Sequence, residues 1–354
     1  MNNAVMAGAA HAPAAGQSDA PTARVVLPVG ATDEQWHALR RSGIGGSDVA
    51  AILGLDRYRG PWHVYEAKHD RGEVRDTAPM QWGRRLEAVI AEAFTEESGL
   101  PTTTTPGTLA HLDRPWMLAN VDRYVVSADG PVAPLECKNR SEHQASDWDG
   151  EVPDGPALQA HWYMAVGGWS HAWVAALIGG NRLAWHRLDR DEELITHLVD
   201  FCGAWWQRHV VEGYPPPPDG SMATTELLDH LWDARPGQVA TVDTAQAISL
   251  RRRRALLKAW AKKLQTKINA VENEMKTLTG DAEIANTPGG KVWTWKQNGT
   301  FRSSDFRDEQ PDLAAQYTRL MPALDVQALA ADHPDIYGQY RARRLHVPEK
   351  GPRP

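Results

Sequence analysis

Hydrophobic positions along the first two thirds of the chain alternate between helical and strand spacing. Leu86, Val89, Ile90, Ala93 and Phe94 recur every three or four residues, which predicts an amphipathic helix opening near Gln81-Trp82-Gly83. Tyr124-Val125-Val126 and Pro134-Leu135 are short β-type stretches flanking the turn-forming cluster Ser127 to Pro131, and together they predict a hairpin. Trp173 to Ile178 is an unbroken apolar run closed by Gly179-Gly180, and Leu183 to Arg187 alternates, predicting a second hairpin. Asp191 to His209 returns to helical spacing, with Leu194, Ile195, Leu198, Phe201, Cys202 and Trp205 on one face. Pro215 to Pro218 cannot continue that helix and are expected to form a stiff linker.

The pattern changes beyond the prolines. Leu257, Leu264, Val271 and Leu278 fall at sevens, with Ala261, Ile268 and Met275 between them, so about three heptads of helix are expected, either as a coiled-coil seam or packed on their own domain. Lys291 to Lys296 alternates with Trp293 and Trp295 on one face, and Asn298-Gly299 suggests a hairpin turn into Phe301. Pro311 to Tyr317 and Pro334 to Tyr340 echo each other as Pro-initiated helices. The expected division is a disordered tail over 1–28, a catalytic-type domain over 29–214, a linker over 215–223, a helix plus small β-hairpin module over 224–347, and a tail over 348–354.

Composition narrows the class without fixing it. The chain has 354 residues and a formal net charge of −7, so nucleic-acid binding would depend on a local basic surface. Arg40, Arg41, Arg57, Arg59, Arg84, Arg85 and Lys138 supply candidates for one. Two cysteines, Cys137 and Cys202, are too few for a disulfide framework and fit a reducing cytoplasmic setting. The first residues lack a basic segment followed by an apolar core, and no stretch approaches the roughly 20 apolar residues of a membrane span.

The candidate chemistry sits on the first hairpin. Asp122 is expected on its first strand, and Glu136 and Lys138 on one face of its second, with Cys137 turned away. Two carboxylates and the Cys137 carbonyl would offer hard oxygen ligands suited to Mg²⁺ or Mn²⁺, while Lys138 could orient or deprotonate a water or steady phosphate charge. Upstream, Glu87 could aim a third carboxylate at the same place. Gly45-Gly46 permit close backbone approach, Ser47-Asp48 can cap a helix through Val49, Ile52 and Leu53, and Arg40 lies nearby, a combination suited to phosphate. Surface charge, a helix cap and a glycine turn are the ordinary alternatives for each piece taken alone.

Taken in order, Trp36 with Arg40, Gly43 to Asp48, Glu87, Asp122, Glu136-Cys137-Lys138 and the Gln159 helix resemble the YqaJ-type viral recombinases. These are the lambda-exonuclease-like branch of the PD-(D/E)xK nuclease superfamily. The resemblance runs from about Trp36 to Pro218. Val121 replaces the usual proline before the aspartate, and His161 stands where the second glutamine of the family's helix would be. The resemblance implies an α/β restriction-endonuclease-like core, a mixed sheet flanked by helices. It implies Glu87, Asp122, Glu136, Lys138 and Gln159 as catalytic residues. Asp122, Glu136, the Cys137 carbonyl and Glu87 would bind one or two Mg²⁺ ions, and Arg40 and Ser47 would hold the 5′-phosphate of DNA.

The implied activity is 5′ to 3′ digestion of one strand of linear duplex DNA. The implied partners are double-stranded DNA ends, a single-strand annealing protein and further copies of the chain, as a trimer, in a phage or prophage setting. A structure- or site-specific endonuclease and a non-catalytic DNA-end scaffold are the alternatives.

Overall fold

The computed structural model describes residues 20–71, 77–127, 130–231, 237–319 and 323–341. Two compact units divide at Asp233/Ala234. In chain order the first contains β1 (Ala23–Pro28), α1 (Asp33–Arg41), α2 (Gly46–Ile52), α3 (Pro61–Lys68), α4 (Ala78–Ser98), β2 (Thr102–Thr104), β3 (Gly107–His111) and β4 (Leu118–Ala119). It continues with β5 (Arg123–Ser127), β6 (Gly130–Arg140), α5 (Asp154–Gly167), β7 (His171–Ile178), β8 (Arg182–Asp189), α6 (Glu192–Trp205) and α7 (Met222–Leu231).

The central sheet has the order β2-β5-β6-β7-β8. Only β6 and β7 run parallel, joined through α5, so the sheet is mixed. A smaller antiparallel sheet, β1-β3-β4, stands beside it. Both expected hairpins form, β5 with β6 and β7 with β8. Alternation along β6 explains how the sheet is covered on both faces. Leu135 and Cys137 join Ile90, Ala91 and Phe94 of α4, where the Phe94 ring contacts Trp173 and Trp185. Val174, Ala176 and Ile178 of β7 face the larger cluster that holds Trp162, Met164 and Val166 of α5. α5 is buried around nearly its whole circumference, which makes it the central helix of the unit.

Several boundaries differ from the sequence expectation. Residues 1–19 lie outside the described residues, but Ala23–Pro28 of the expected tail is a strand, because Val25, Val26 and Leu27 favour extended backbone and Val25 and Leu27 pair with Leu109 and Thr108 of β3 on either side of an irregularity at Val26. The prolines do not separate the units: Pro216 is buried and Asp219 lies against Gly60 at the start of α3, so α7 belongs to the first unit. On α4, Val89 is exposed and Ala91 takes its place in the core.

The second unit opens with α8 (Thr244–Thr279), followed by β9 (Ile284–Thr287), β10 (Gly290–Thr294) and the short helices α9 (Ser303–Glu309), α10 (Pro311–Tyr317), α11 (Val326–Asp332) and α12 (Pro334–Gln339). β9 and β10 pair through a turn at Pro288-Gly289. The hairpin expected at Asn298-Gly299 is absent, since Ser303 starts a helix instead. Trp293 donates its ring N–H to Thr279 Oγ1 at 2.8 Å, tying the hairpin to the end of α8. The expected tail over 348–354 lies outside the described residues. Among the described residues no helix is long and apolar enough to cross a membrane.

Candidate active site

β6 carries Glu136 and Lys138 on one face, and Lys138 closes an ion pair onto Glu136. The same Lys138 ammonium donates to Gln159 Oε1 at 2.9 Å, and Gln159 Nε2 donates to the Tyr163 hydroxyl at 2.6 Å. Gln159 and Tyr163 are four residues apart and therefore neighbours on α5. Tyr163 in turn donates to the Asn120 carbonyl. One chain of hydrogen bonds thus runs from β6 across α5 to the segment before β5.

Asp122 ends that segment. It was expected within the first strand but lies one residue before β5, because Arg123↔Leu135 is the last pair in the register. Its place is fixed by Oδ2, which accepts from the Cys137 backbone N–H at 2.8 Å. Burial, and then the nearby Glu136 carboxylate, push the Asp122 carboxyl well above its ordinary value, with Lys138 opposing. Burial and the same carboxylates also push the Cys137 thiol up, which keeps it protonated and unsuited to thiolate ligation.

A hard divalent cation fits this donor set. Glu136 is buried, and its Oε2 has no hydrogen-bond partner among the described residues. A buried carboxylate oxygen with no partner, beside a carboxyl whose proton affinity is raised, is the balance that a cation would reverse. Among the described residues no three His, Cys, Asp or Glu side chains form a metal cluster, so side chains alone do not complete a coordination shell. Glu87 reaches the neighbourhood from α4 and ion-pairs with Arg123. It contributes to raising Asp122, which places its charge near the pair.

Arg40 and Ser47 come together as expected, with Arg40 Nη1 3.3 Å from Ser47 Oγ. Sequence reasoning took Ser47-Asp48 as a helix cap; Gly45 is the N-cap residue of α2, Asp48 completes the cap by accepting from the Gly45 backbone N–H on Oδ2 at 3.2 Å, and the same carboxylate has a larger task. Asp48 is fully buried, accepting from Arg40 Nη2 at 2.8 Å and Arg59 Nη2 at 3.0 Å on Oδ1, and from Lys68 Nζ at 2.7 Å on Oδ2. Burial alone would raise its carboxyl. Arg40, Lys68 and Arg59 outweigh burial and hold it far below the usual carboxylate range. Three cations on one carboxylate leave surplus positive charge at this end of the site. Arg40 also stacks over the Trp36 ring, 5.2 Å from its centroid, which limits where its guanidinium can go.

The two groups share one cavity of about 170 Å³, whose wall includes Arg40, Gly45, Gly46 and Ser47 together with Asp122, Gln159 and Tyr163. Gly46 is required there. A Cβ at this position would come within 2.8 Å of Tyr163 Cε1 and 2.9 Å of Gln159 Cγ. His161 points elsewhere, its Nδ1 lying 2.9 Å from the Ala157 carbonyl, and it is buried.

Asp48, Asn120, Arg123 and Tyr163 were missed as parts of the site. The i, i+4 spacing of Gln159 and Tyr163 was a usable clue. The convergence of Arg59 and Lys68 on Asp48 was not, because those residues are 11 and 20 positions away along the chain.

A mixed sheet sets Asp122 beside Glu136-Cys137-Lys138, with a glutamine-bearing helix crossing between β6 and β7, which is the arrangement the sequence resemblance led us to expect. Residues 35–170 match the family model described as the YqaJ-like viral recombinase domain. The chain is 31% identical over 287 residues to the uncharacterised YqaJ protein of Bacillus subtilis (strain 168), covering 79% of this chain and 89% of that one. The chain belongs to the YqaJ family. Among solved structures it is similar to an alkaline exonuclease from Laribacter hongkongensis, with a TM-score of 0.41 and 19% identity over 51% of this chain and 93% of the other. A phage-related exonuclease from Haemophilus somnus 129PT gives a TM-score of 0.35 and 12% identity, covering 51% of this chain and all of that one.

Proposed function

We propose that the protein is a divalent-metal-dependent deoxyribonuclease that loads on linear duplex DNA, holds the 5′-phosphate at Arg40 and Ser47, and digests that strand 5′ to 3′. The observation that carries this reading is that Arg40, Ser47, Asp122 and Gln159 line one cavity. A cationic clamp beside two buried carboxylates suits a substrate with a terminal phosphate next to the bond to be cut.

Asp122, Glu136 and the Cys137 carbonyl would hold the ion, with Glu87 supporting a second, and Mg²⁺ is the expected metal. When bound, it supplies charge stabilisation at the attacking and leaving oxygens of an in-line displacement. Lys138 is held between Glu136 and Gln159, and its ammonium orients the attacking water or takes part in its proton transfer. Gln159 positions Lys138 and faces the scissile phosphate. Arg40, steered by Asp48 and Trp36, anchors the strand's end through charge-assisted hydrogen bonds. The remaining 3′-ended strand would pass to an annealing protein in phage-type recombination.

A time course with Mg²⁺ on 5′-phosphorylated linear duplex, 5′-hydroxyl linear duplex and covalently closed circle tests the reading. The phosphorylated duplex is expected to be digested fastest and the circle to survive. Cutting of the circle would replace the exonuclease reading with an endonuclease, and inertness towards all three would leave an end-binding protein.

A further inference from the structure

Arg140 closes β6 on the face that carries Glu136 and Lys138. The pairing of β6 with β7 runs without a break from Leu135↔Trp173 to Arg140↔Ile178, so alternation holds to the end of the strand. The Arg140 carbonyl accepts from the Gly179 N–H at 2.9 Å, which fixes the backbone there. Its guanidinium is half-buried, and among the described residues its one hydrogen bond runs from Nη1 to the Asn139 carbonyl at 3.0 Å. The other cations of the site are committed: Arg40, Arg59 and Lys68 to Asp48, Arg123 to Glu87, and Lys138 to Glu136. Among the described residues Arg140 has no carboxylate at ion-pair distance.

A half-buried guanidinium without a counterion is costly until an anion meets it. Burial weakens the hold of Arg140 on its proton, and the opposing pull of Glu136, Tyr58 and Asp56 does not make up for it. We propose that Arg140 holds a backbone phosphate of the digested strand, the one next to the scissile phosphate on its 3′ side, an inference that rests on the nuclease reading above. Two residues along a β-strand advance about 6.7 Å, close to the separation of neighbouring phosphates on one DNA strand. A strand whose scissile phosphate is served by Lys138 therefore brings its next phosphate to Arg140.

Placement decides which neighbouring phosphate it is. Arg40 and Ser47 line the cavity with Asp122 and are assigned the 5′-terminal phosphate, whereas Arg140 lies outside that wall. The part of the strand outside the cavity is the part still joined to the duplex, and it lies 3′ of the bond to be cut. The loop between α2 and α3 borders both places: Arg59 binds Asp48, while Asp56 and Tyr58 lie close enough to Arg140 to bear on its charge. Arginine suits the task, because its planar fork meets two phosphate oxygens at once. Such a contact is indifferent to base identity and sets the register of the strand.

Duplexes with a neutral methylphosphonate at a single position test the assignment on the full chain. The native protein is expected to bind the duplex modified at the phosphate 3′ of the first scissile bond about tenfold more weakly than the unmodified one, and to digest it in Mg²⁺ with a KM raised accordingly. Arg140→Gln should lose the same factor on unmodified DNA, lose nothing more on the modified duplex, and show a salt dependence of binding shallower by about one counterion. Arg140→Lys should recover part of the loss. Equal binding of both duplexes by the native chain, a comparison that needs no variant to fold, would overturn the assignment, as would additive losses in Arg140→Gln. In both cases digestion of unmodified DNA would leave the nuclease reading standing. Collapse of the preference for a 5′-phosphate over a 5′-hydroxyl in Arg140→Gln, with the methylphosphonate still felt, would overturn the placement on the 3′ side. Absence of Mg²⁺-dependent digestion by the native chain would overturn the nuclease reading and this inference with it.

Discussion

Lys138 Nζ stands 2.9 Å from Gln159 Oε1 while it ion-pairs with Glu136, so a strand residue and a helix residue hold one ammonium from two sides. Neither partner alone would fix it. Lys138→Ala is therefore expected to lower kcat by about 10²–10⁴-fold, with little change in equilibrium binding of duplex ends. Single-turnover digestion and end-binding titrations separate the two effects. Near-native turnover in this variant would remove Lys138 from the site.

Asp122 makes stability depend on pH with a definite sign. Its carboxyl titrates well above the ordinary value of 3.8 in the folded chain. The contribution is therefore present below that ordinary value and is lost as pH rises through the raised one. Without metal, the native protein is expected to lose thermal stability as pH climbs from the ordinary carboxyl value through the raised one. Asp122→Asn should flatten that loss and, in chelator at pH above the raised value, melt above the native chain, while abolishing digestion. Mg²⁺ should raise the native Tm and leave that of the variant unmoved.

Asp48→Asn leaves Arg40, Arg59 and Lys68 converging on a neutral amide. Breaking a buried ion pair on one side costs about 3–5 kcal/mol, and denaturant melts are expected to show a loss of that order. The native bridge should persist in moderate acid, because a depressed carboxyl keeps its stabilising contribution until pH falls through the lowered value. The preference for 5′-phosphorylated over 5′-hydroxyl duplex should collapse in the variant. Asp48→Glu, with its charge retained on a longer arm, should recover part of that preference.

Gly46→Ala inserts a methyl against Tyr163 and Gln159. Overpacking of this kind costs about 1–3 kcal/mol. Displacing Gln159 should also loosen Lys138, so kcat falls more than the melting shift alone would suggest. Gly83→Ala on α4, where an added Cβ meets nothing within 4 Å, is the control and should be near-neutral or slightly stabilising.

Local sequence carried the parts whose physics is local. Alternation along β6 placed Glu136 and Lys138 together, and the apolar spacing of α4, α6 and α8 was visible at once. The glycine pair and Arg40 pointed to a phosphate-type pocket before any fold was known. Asp48 could not be read in the same way, because its three cations arrive from α1, α3 and the loop between α2 and α3. Arg123 was passed over for a similar reason: only pairing across to α4 shows that it meets Glu87. The proline run misled because rigidity in a segment does not determine where tertiary contacts stop. Pro216 is packed into the first unit, and the break comes after α7.

Arg40, Ser47, Asp122 and Gln159 line one cavity, and Gly46 packs directly on Gln159, so under the proposed activity the grip on a strand and the point of attack would move together. Under the proposed activity the protein acts as a caliper. The length of each released product would be set by the gap between its jaws rather than by the sequence of the DNA.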